Sequence, residues 1–310
     1  MFLSVVIPTY NRRPILAKAL LALEQQDWPG PYEVIVVDDG STDDTLAWLA
    51  AHQPDLPHVR WCSQTHQGPA VARNLGVAQA QGDTIVFIDS DLVVTPVFLR
   101  AHAEGLQAAY HKLGHDKCFT YGRVVNTSNF DNPTQERFKL TDVSRAFFAT
   151  GNVAIAKRWL ELAGGFDADF QGYGWEDLEL GVRLKKLGLV LIPCPRAVGY
   201  HWHPPFTLDQ IPRLIEKERQ RARMGLLFYQ KHPTWDVRLM IQMTWLHWWL
   251  WEVLSLGGWL NERTLAPLMQ WLIDRGRHDW AGELARIFLN RYQVQAVYAA
   301  YREWRQNQRP

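Results

Sequence analysis

A chain of 310 residues, 47% hydrophobic and 21% charged, is long enough for one large α/β domain plus an accessory region and too apolar to be disordered. Its net charge of +1 hides an asymmetry: residues 1–204 carry 18 Lys+Arg against 22 Asp+Glu, net −4, and residues 205–310 carry 15 against 10, net +5. An acidic half needs a cation if it is to hold a phosphate; a mildly basic half can face an anionic surface, although a solvated basic face is commoner.

Residues 3–8 read as a strand. Arg12 and Arg13 follow this apolar run, the reverse of a secretory signal. Cys62, Cys118 and Cys194 make neither a zinc spacing nor a disulfide framework, which fits a reducing compartment. A cytoplasmic location is expected, either free or peripheral at the inner face of the membrane. A helical pattern runs through Leu16, Leu20 and Leu23, and residues 33–37 form a second strand, near-continuously apolar as buried parallel strands are. Ser41-Thr42-Asp43-Asp44 offers N-cap chemistry for a helix through Leu46 and Leu49. A strand at 59–62, a helix at 70–80 and a strand at 84–88 complete an alternation that predicts a doubly wound sheet with right-handed crossovers. Such sheets bind ligands at the carboxyl ends of their strands.

Residues 126–142 are polar and turn-rich and read as a long functional loop. His203-Pro204-Pro205 marks the expected boundary between a domain at 1–204, with halves at 1–92 and 93–204, and a helical region at 205–310. That region holds nine of the fifteen tryptophans. Residues 237–260 are long enough to suggest a membrane span, but Arg238, Gln242, His247 and Glu252 interrupt them. Arg238, Gln242 and Glu252 fall near one helical face, and the rest, with Trp245, Trp248, Trp249 and Trp251, is apolar and must be covered. Protein is the commoner cover: the larger domain, a later helix carrying Leu284, Ile287, Phe288, Val294, Val297 and Tyr301, or a second subunit. The membrane interface is the alternative.

Four motifs carry chemistry. Asp38-Asp39-Gly40-Ser41 offers two carboxylates to a base or ribose, although an Asx turn and helix cap account for it taken alone. Asp89-Ser90-Asp91 ends an apolar strand, and residues two apart in an extended segment share a side, so both carboxylates can face one Mg²⁺ or Mn²⁺. In Gly174-Trp175-Glu176-Asp177 the acidic pair opens a helical pattern. It serves either as a cap or as a general base that deprotonates an acceptor hydroxyl, and Trp175 is either a sugar platform or core. His201-Trp202-His203 puts two imidazoles on one side of a strand, where one can complete a metal shell. Arg73, on a helix after Gly68-Pro69, is placed to meet phosphate.

In this order the segments resemble the inverting family 2 glycosyltransferases of the GT-A fold. The matching stretches are Val5-Val6-Ile7-Pro8-Thr9-Tyr10-Asn11-Arg12, residues 34–41, residues 68–76 with Ala72-Arg73-Asn74, and residues 82–92. Gly164-Gly165-Phe166-Asp167 with the later Gly-Trp-Glu-Asp resembles the acceptor-side signature of galactosyltransferase-type members. The resemblance implies a Rossmann-like, doubly wound mixed sheet followed by the helical region. It also implies Mn²⁺- or Mg²⁺-dependent transfer from a nucleotide-sugar, most often a UDP-sugar, to a hydroxyl of a glycan or lipid-linked acceptor. By the same resemblance Pro8, Thr9, Tyr10 and Arg12 lie against the nucleoside, Asp39 bonds the uracil edge, and Arg73 sits near base and phosphates. Asp89, with Ser90, meets the ribose or the metal's water shell, Asp91 ligates the metal, and Gly151-Asn152 lies near the donor sugar. Asp177 matches the base, Glu176 the acceptor contact, and His201 the late metal ligand, with His203 close enough to compete. No nucleic-acid partner is expected. The rival reading is an inactive nucleotide-binding scaffold on the same fold, which would not need the base; the lack of a Gly-rich basic loop after the first strand argues against a nucleotidyltransferase.

Overall fold

The computed structural model describes residues 1–139, 142 and 146–307. The chain divides into two compact units, residues 1–171 with 176–204, and residues 172–175 with 205–310. The larger is built on an eight-stranded mixed sheet. Its first half runs β1 (Leu3–Thr9), α1 (Arg13–Glu24), β2 (Tyr32–Asp38), α2 (Thr45–Ala51), β3 (Val59–Ser63), α3 (Pro69–Gln79) and β4 (Thr84–Ile88). These strands are parallel, with β1 between β2 and β4 and β3 outside β2. Val5, Ile7, Val34, Val36 and Val86 pack on one side with Leu16, Leu20 and Leu23 of α1. Val6, Ile35, Val37, Ile85 and Phe87 pack on the other with Ala70 and Ala72 of α3. Burial on both faces is why these strands are continuous apolar runs. The strand order reverses at β1 and β4, and the crevice above such a switch point is where an open α/β sheet takes its ligand.

The second half is β5 (Leu92–Val94), α4 (Phe98–Leu113), β6 (Cys118–Thr127), β7 (Asn152–Ala156), α5 (Lys157–Ala163), α6 (Glu176–Lys186) and β8 (Val190–Trp202). Here β7 runs antiparallel to both β4 and β6, β8 is parallel to β6, and β5 closes the edge antiparallel to β8. A register shift at Gly122/Arg123 bends β6 against β8. The loop expected at 126–142 begins two residues later, since Asn126 and Thr127 belong to β6, and Pro133–Gln135 within it makes one 3₁₀ turn. Leu140 and Thr141 lie outside the described residues.

The smaller unit is helical: α7 (Ile211–Lys231), α8 (Trp235–Met240), α9 (Trp245–Leu254), α10 (Ala266–Asp274) and α11 (His278–Asn307). Ile211, Leu265, Met269, Ala281, Ala285 and Phe288 form a core of this unit. The apolar stretch at 237–260 is not one helix. Gln242 takes a φ of 58°, a left-handed turn that separates α8 from α9, and Thr244 recaps the chain by accepting the His247 N–H. Gln242 therefore does not share a helical face with Glu252. Among the described residues no helix is long and apolar enough to cross a membrane.

Candidate active site

The carboxyl ends of β1, β2 and β4 deliver Thr9, Asp38 and Asp89, and the pairing of β4 with β7 sets Gly151 beside Asp89. A Cβ on Gly151 would sit 3.3 Å from Asp89 Oδ2, so this turn holds no larger side chain without pushing on the carboxylate. Arg73, 5% exposed on α3, joins two motifs far apart in sequence. It donates to Glu176 Oε1 at 2.9 Å and to Asp89 Oδ1 at 3.0 Å. Burial works against the Arg73 charge, but Glu176, Asp89 and Asp177 outweigh it and raise its pKa. Arg73 thus lies among carboxylates, where the resemblance set it near base and phosphates.

Glu176 and Asp177 open α6, where a helix N-terminus favours negative charge. Asp177 Oδ1 accepts the Leu178 N–H at 2.7 Å. Loss of hydration, followed by repulsion from Glu176, nonetheless pushes the Asp177 pKa up to about 7, against the opposing pull of Arg73. A carboxylate tuned towards neutrality suits a general base.

The other cluster is Asp91 with the two histidines. Trp202 N–H donates to Asp91 O at 2.9 Å, and the pairing of Leu92 with His201 fixes the strand end. Asp91 Oδ1 lies 2.9 Å from His201 Nε2, the imidazoles of His201 and His203 sit edge to face at 4.1 Å, and donor atoms of all three residues fall within 4.8 Å of one another. Asp91 Oδ1 is buried and accepts no hydrogen bond in good geometry. One carboxylate oxygen and two imidazole nitrogens make a mixed donor set that suits first-row divalent ions better than the purely oxygen-seeking Mg²⁺. Cis ligands on an octahedral ion with bonds of about 2.1 Å stand about 3 Å apart, which the Asp91–His201 spacing meets. The donor set therefore fits a divalent ion. Asp89 lies outside it, held by Arg73. Arg12, expected against a nucleoside, instead pairs with Asp91 Oδ2.

Around these clusters the buried polar atoms are short of partners. Thr9 Oγ1, Arg73 Nε, Asp91 Oδ1 and Glu176 Oε2 are all buried without a hydrogen bond. A buried polar atom left unpaired in this way is one that a bound polar ligand can satisfy.

Other expected contacts fall elsewhere. Asp39 is buried, and its oxygens accept from Gln64 Nε2 at 2.7 Å, Gln67 N–H at 2.9 Å and Gly68 N–H at 2.9 Å, with His66 Nδ1 at 2.9 Å. Its carboxylate is committed to the β3–α3 loop and not offered to a base edge. Above it Tyr10 stacks on His66 at 4.2 Å, both exposed. Nothing in the sequence singles out His66 except its position after β3, at the ligand end of the sheet. Pro8 is half-buried, while Thr9 and Ser90 are buried. Trp175 is no open sugar platform: it is 4% exposed at a φ of 79° and donates its indole N–H to Arg221 O at 2.7 Å within the helical unit.

Asn152 is fully buried and presents no surface to a donor sugar. Its Nδ2 donates to Arg123 O and Ala197 O, which fixes its Oδ1 as acceptor for His102 Nε2 at 2.8 Å. His102 Nδ1 then accepts from Thr120 Oγ1 at 2.8 Å. Burial drives the His102 pKa down to about 4, so the ring stays neutral and the brace intact at physiological pH. Gly122 belongs to the same knot, since a Cβ there would strike the Asn152 amide. Asn152→Ala strands one donor and two carbonyls, and is expected to cost about 2–4 kcal/mol in urea unfolding. A loss below 1 kcal/mol, of the order of one ordinary hydrogen bond, would show that the brace carries no load.

An open α/β sheet with its switch point at β1/β4, an antiparallel extension and acidic and histidine side chains at the strand ends define the GT-A class of fold. Residues 4–161 match the family described as glycosyl transferase family 2, and residues 134–203 match the N-terminal domain of galactosyltransferase. The chain belongs to glycosyl transferase family 2. Among curated relatives, it is 32% identical over 253 residues to a chondroitin synthase of Escherichia coli, covering 69% of this chain and 37% of that one. It is 29% identical over 248 residues to a hyaluronan synthase of Pasteurella multocida, covering 68% and 25%. The chain thus spans only 25–37% of their length. In fold it resembles the mannosyltransferase PcManGT of Pyrobaculum calidifontis, solved with GDP-Man and Mn²⁺, at a TM-score of 0.57 and 19% identity over 94% of this chain and 86% of that one.

Proposed function

We propose that the chain transfers a sugar from a nucleoside diphosphate sugar to an acceptor hydroxyl with inversion at the anomeric carbon. The observation that carries this reading is the pairing of two clusters: the divalent-ion donor set of Asp91, His201 and His203, and the Arg73-bridged carboxylates that end in Asp177. Bound there, a Mn²⁺ or Mg²⁺ ion supplies Lewis-acid neutralisation of the diphosphate leaving group.

The protein's own residues do the rest. Arg73 fixes Glu176 and Asp89 and keeps their charges from repelling one another. With Asp177 Oδ1 tied to the helix backbone, its other oxygen takes the proton of the attacking hydroxyl, on the face opposite the leaving group. Glu176 Oε2, buried and unpaired, accepts a second acceptor hydroxyl and orients it. The family resemblance favours a UDP-sugar as donor, and a glycan or lipid-linked glycan as acceptor. Screening UDP- and GDP-sugars for metal-dependent hydrolysis and thermal stabilisation tests the reading. One donor is expected to be hydrolysed slowly with Mn²⁺ and not with EDTA. A donor that stabilises the protein without ever being hydrolysed would favour an inactive scaffold.

The segment after β6 reaches this site through its base. Asp142 Oδ1 accepts from the Asn126 side chain at 2.8 Å, and Asn126 Oδ1 lies 3.2 Å from His203 Nε2. Adding UDP and Mn²⁺ is therefore expected to slow amide exchange across residues 126–139. Unchanged protection there would remove this segment from the donor site.

A further inference from the structure

Helix α9 is inverted relative to an ordinary surface helix. Its ionisable side chains turn to protein: His247 Nδ1 meets Thr244 Oγ1 at 2.7 Å, and Glu252 binds Arg291 of α11 at 3.1 Å. Trp251 donates to Gln242, and Trp248 packs edge-on against Tyr298 of α11. Spacing puts Trp245, Leu246, Trp249, Leu250 and Val253 on the opposite half of the helix. That half is left open: Trp245 is 69% exposed, Trp249 62% and Val253 64%, and the following turn adds Leu256 and Trp259, both more than 60% exposed. Nothing charged interrupts this outer half of α9. A contiguous apolar face of this kind on a folded chain marks a contact surface.

We propose that this face lies on an anionic phospholipid surface, with the tryptophans at headgroup depth. Three observations select lipid over a second copy of the chain. Among the described residues the indole N–H groups of Trp245, Trp249 and Trp259 have no protein acceptor; a dry protein interface would have to supply one for each, whereas the wet headgroup layer offers carbonyl, phosphate and water oxygens. Residues 205–310 carry a net charge of +5, complementary to an anionic leaflet. Arginines also accompany tryptophans in the same unit: Arg275 stacks on the half-exposed Trp271 at 3.8 Å, and Arg238 lies 5.6 Å from Trp235. Such pairs set an apolar ring beside a charged head, as at a lipid–water boundary. At 10 residues α9 is about 15 Å long, half the hydrocarbon thickness, so it lies in the interface and does not span it.

Flotation of the full chain with vesicles of equimolar phosphatidylcholine and phosphatidylglycerol tests this. The chain is expected to float at low salt, to bind phosphatidylcholine vesicles less, and to have its tryptophan fluorescence quenched by brominated acyl chains. The double variant Trp245→Ala/Trp249→Ala removes only exposed side chains, so its melting temperature is expected to hold while its vesicle partitioning falls by about tenfold or more. Wild-type chain that stays unbound at low salt would overturn the proposal, as would a folded double variant that floats as well as wild type. Sedimentation showing a dimer that the double variant dissociates, without vesicle binding, would assign the face to a second copy instead.

Discussion

Asp177→Asn is expected to lower turnover by about 10²–10⁴-fold while leaving donor affinity within about twofold of wild type. The substitution keeps the acceptor atom that meets Leu178 N–H and removes only the ability to take a proton. In wild type kcat/KM should rise with pH through about 7, because the base must be ionised to act and its pKa is pushed there by lost hydration and by Glu176. Stability carries the same signature with the opposite slope. A carboxyl whose folded pKa is raised stabilises the fold fully below its ordinary pKa, and this contribution is lost as pH rises through about 7. The asparagine variant should therefore melt above wild type at pH 8, with the gap closing towards pH 4. Equal turnover in variant and wild type, or a melting difference independent of pH, would remove Asp177 from the role of base.

Asp91→Ala should have a comparable effect on turnover by a different route. Wild-type chain is expected to bind UDP more tightly with Mn²⁺ than without, and the variant to bind it equally weakly in both, as read by titration calorimetry. Transfer should fall about 10³-fold or more, the scale of a lost Lewis acid. Because Asp91 also pairs with Arg12, the control is Arg12→Gln, which breaks that pair but leaves the metal donor set complete. An Asp91→Ala variant with near-normal turnover in EDTA would contradict metal assistance.

Two kinds of information separate what the sequence showed from what it hid. The strands β1, β2 and β4 are legible because both their faces are buried, so apolar runs mark them to within one residue at each end. The acceptor half is not: β8 pairs with β6 on one side and β5 on the other, partners more than sixty positions away, and β5 has only three residues. Local periodicity carries no record of such pairing. In the site, spacing alone brings Asp89 and Asp91, and His201 and His203, to the same loop or strand end. It does not reveal that Arg73 bridges Asp89 to Glu176, because a single arginine on a helix looks like any other until the α6 N-terminus arrives beside it. Burial is equally silent in the sequence: it does not tell that the polar atoms of Asn152, Asp39 and Trp175 are taken up by the protein's own backbone and side chains, nor which of the two readings of Trp175, platform or core, the fold adopts. The break at Gln242 has no glycine or proline to announce it. Its reward is tertiary, since the turn lets the Gln242 side-chain Oε1 accept from Trp251 Nε1.

The most direct test of the account follows a wild-type reaction by proton NMR, with Mn²⁺, an α-linked nucleotide-sugar donor found in the screen, and water as the acceptor. A single displacement assisted by Asp177 predicts that the first free sugar to appear is the β-anomer, before mutarotation mixes the two. Appearance of the α-anomer first would mean that the sugar leaves with its configuration retained, and would contradict the inverting mechanism built on Asp177.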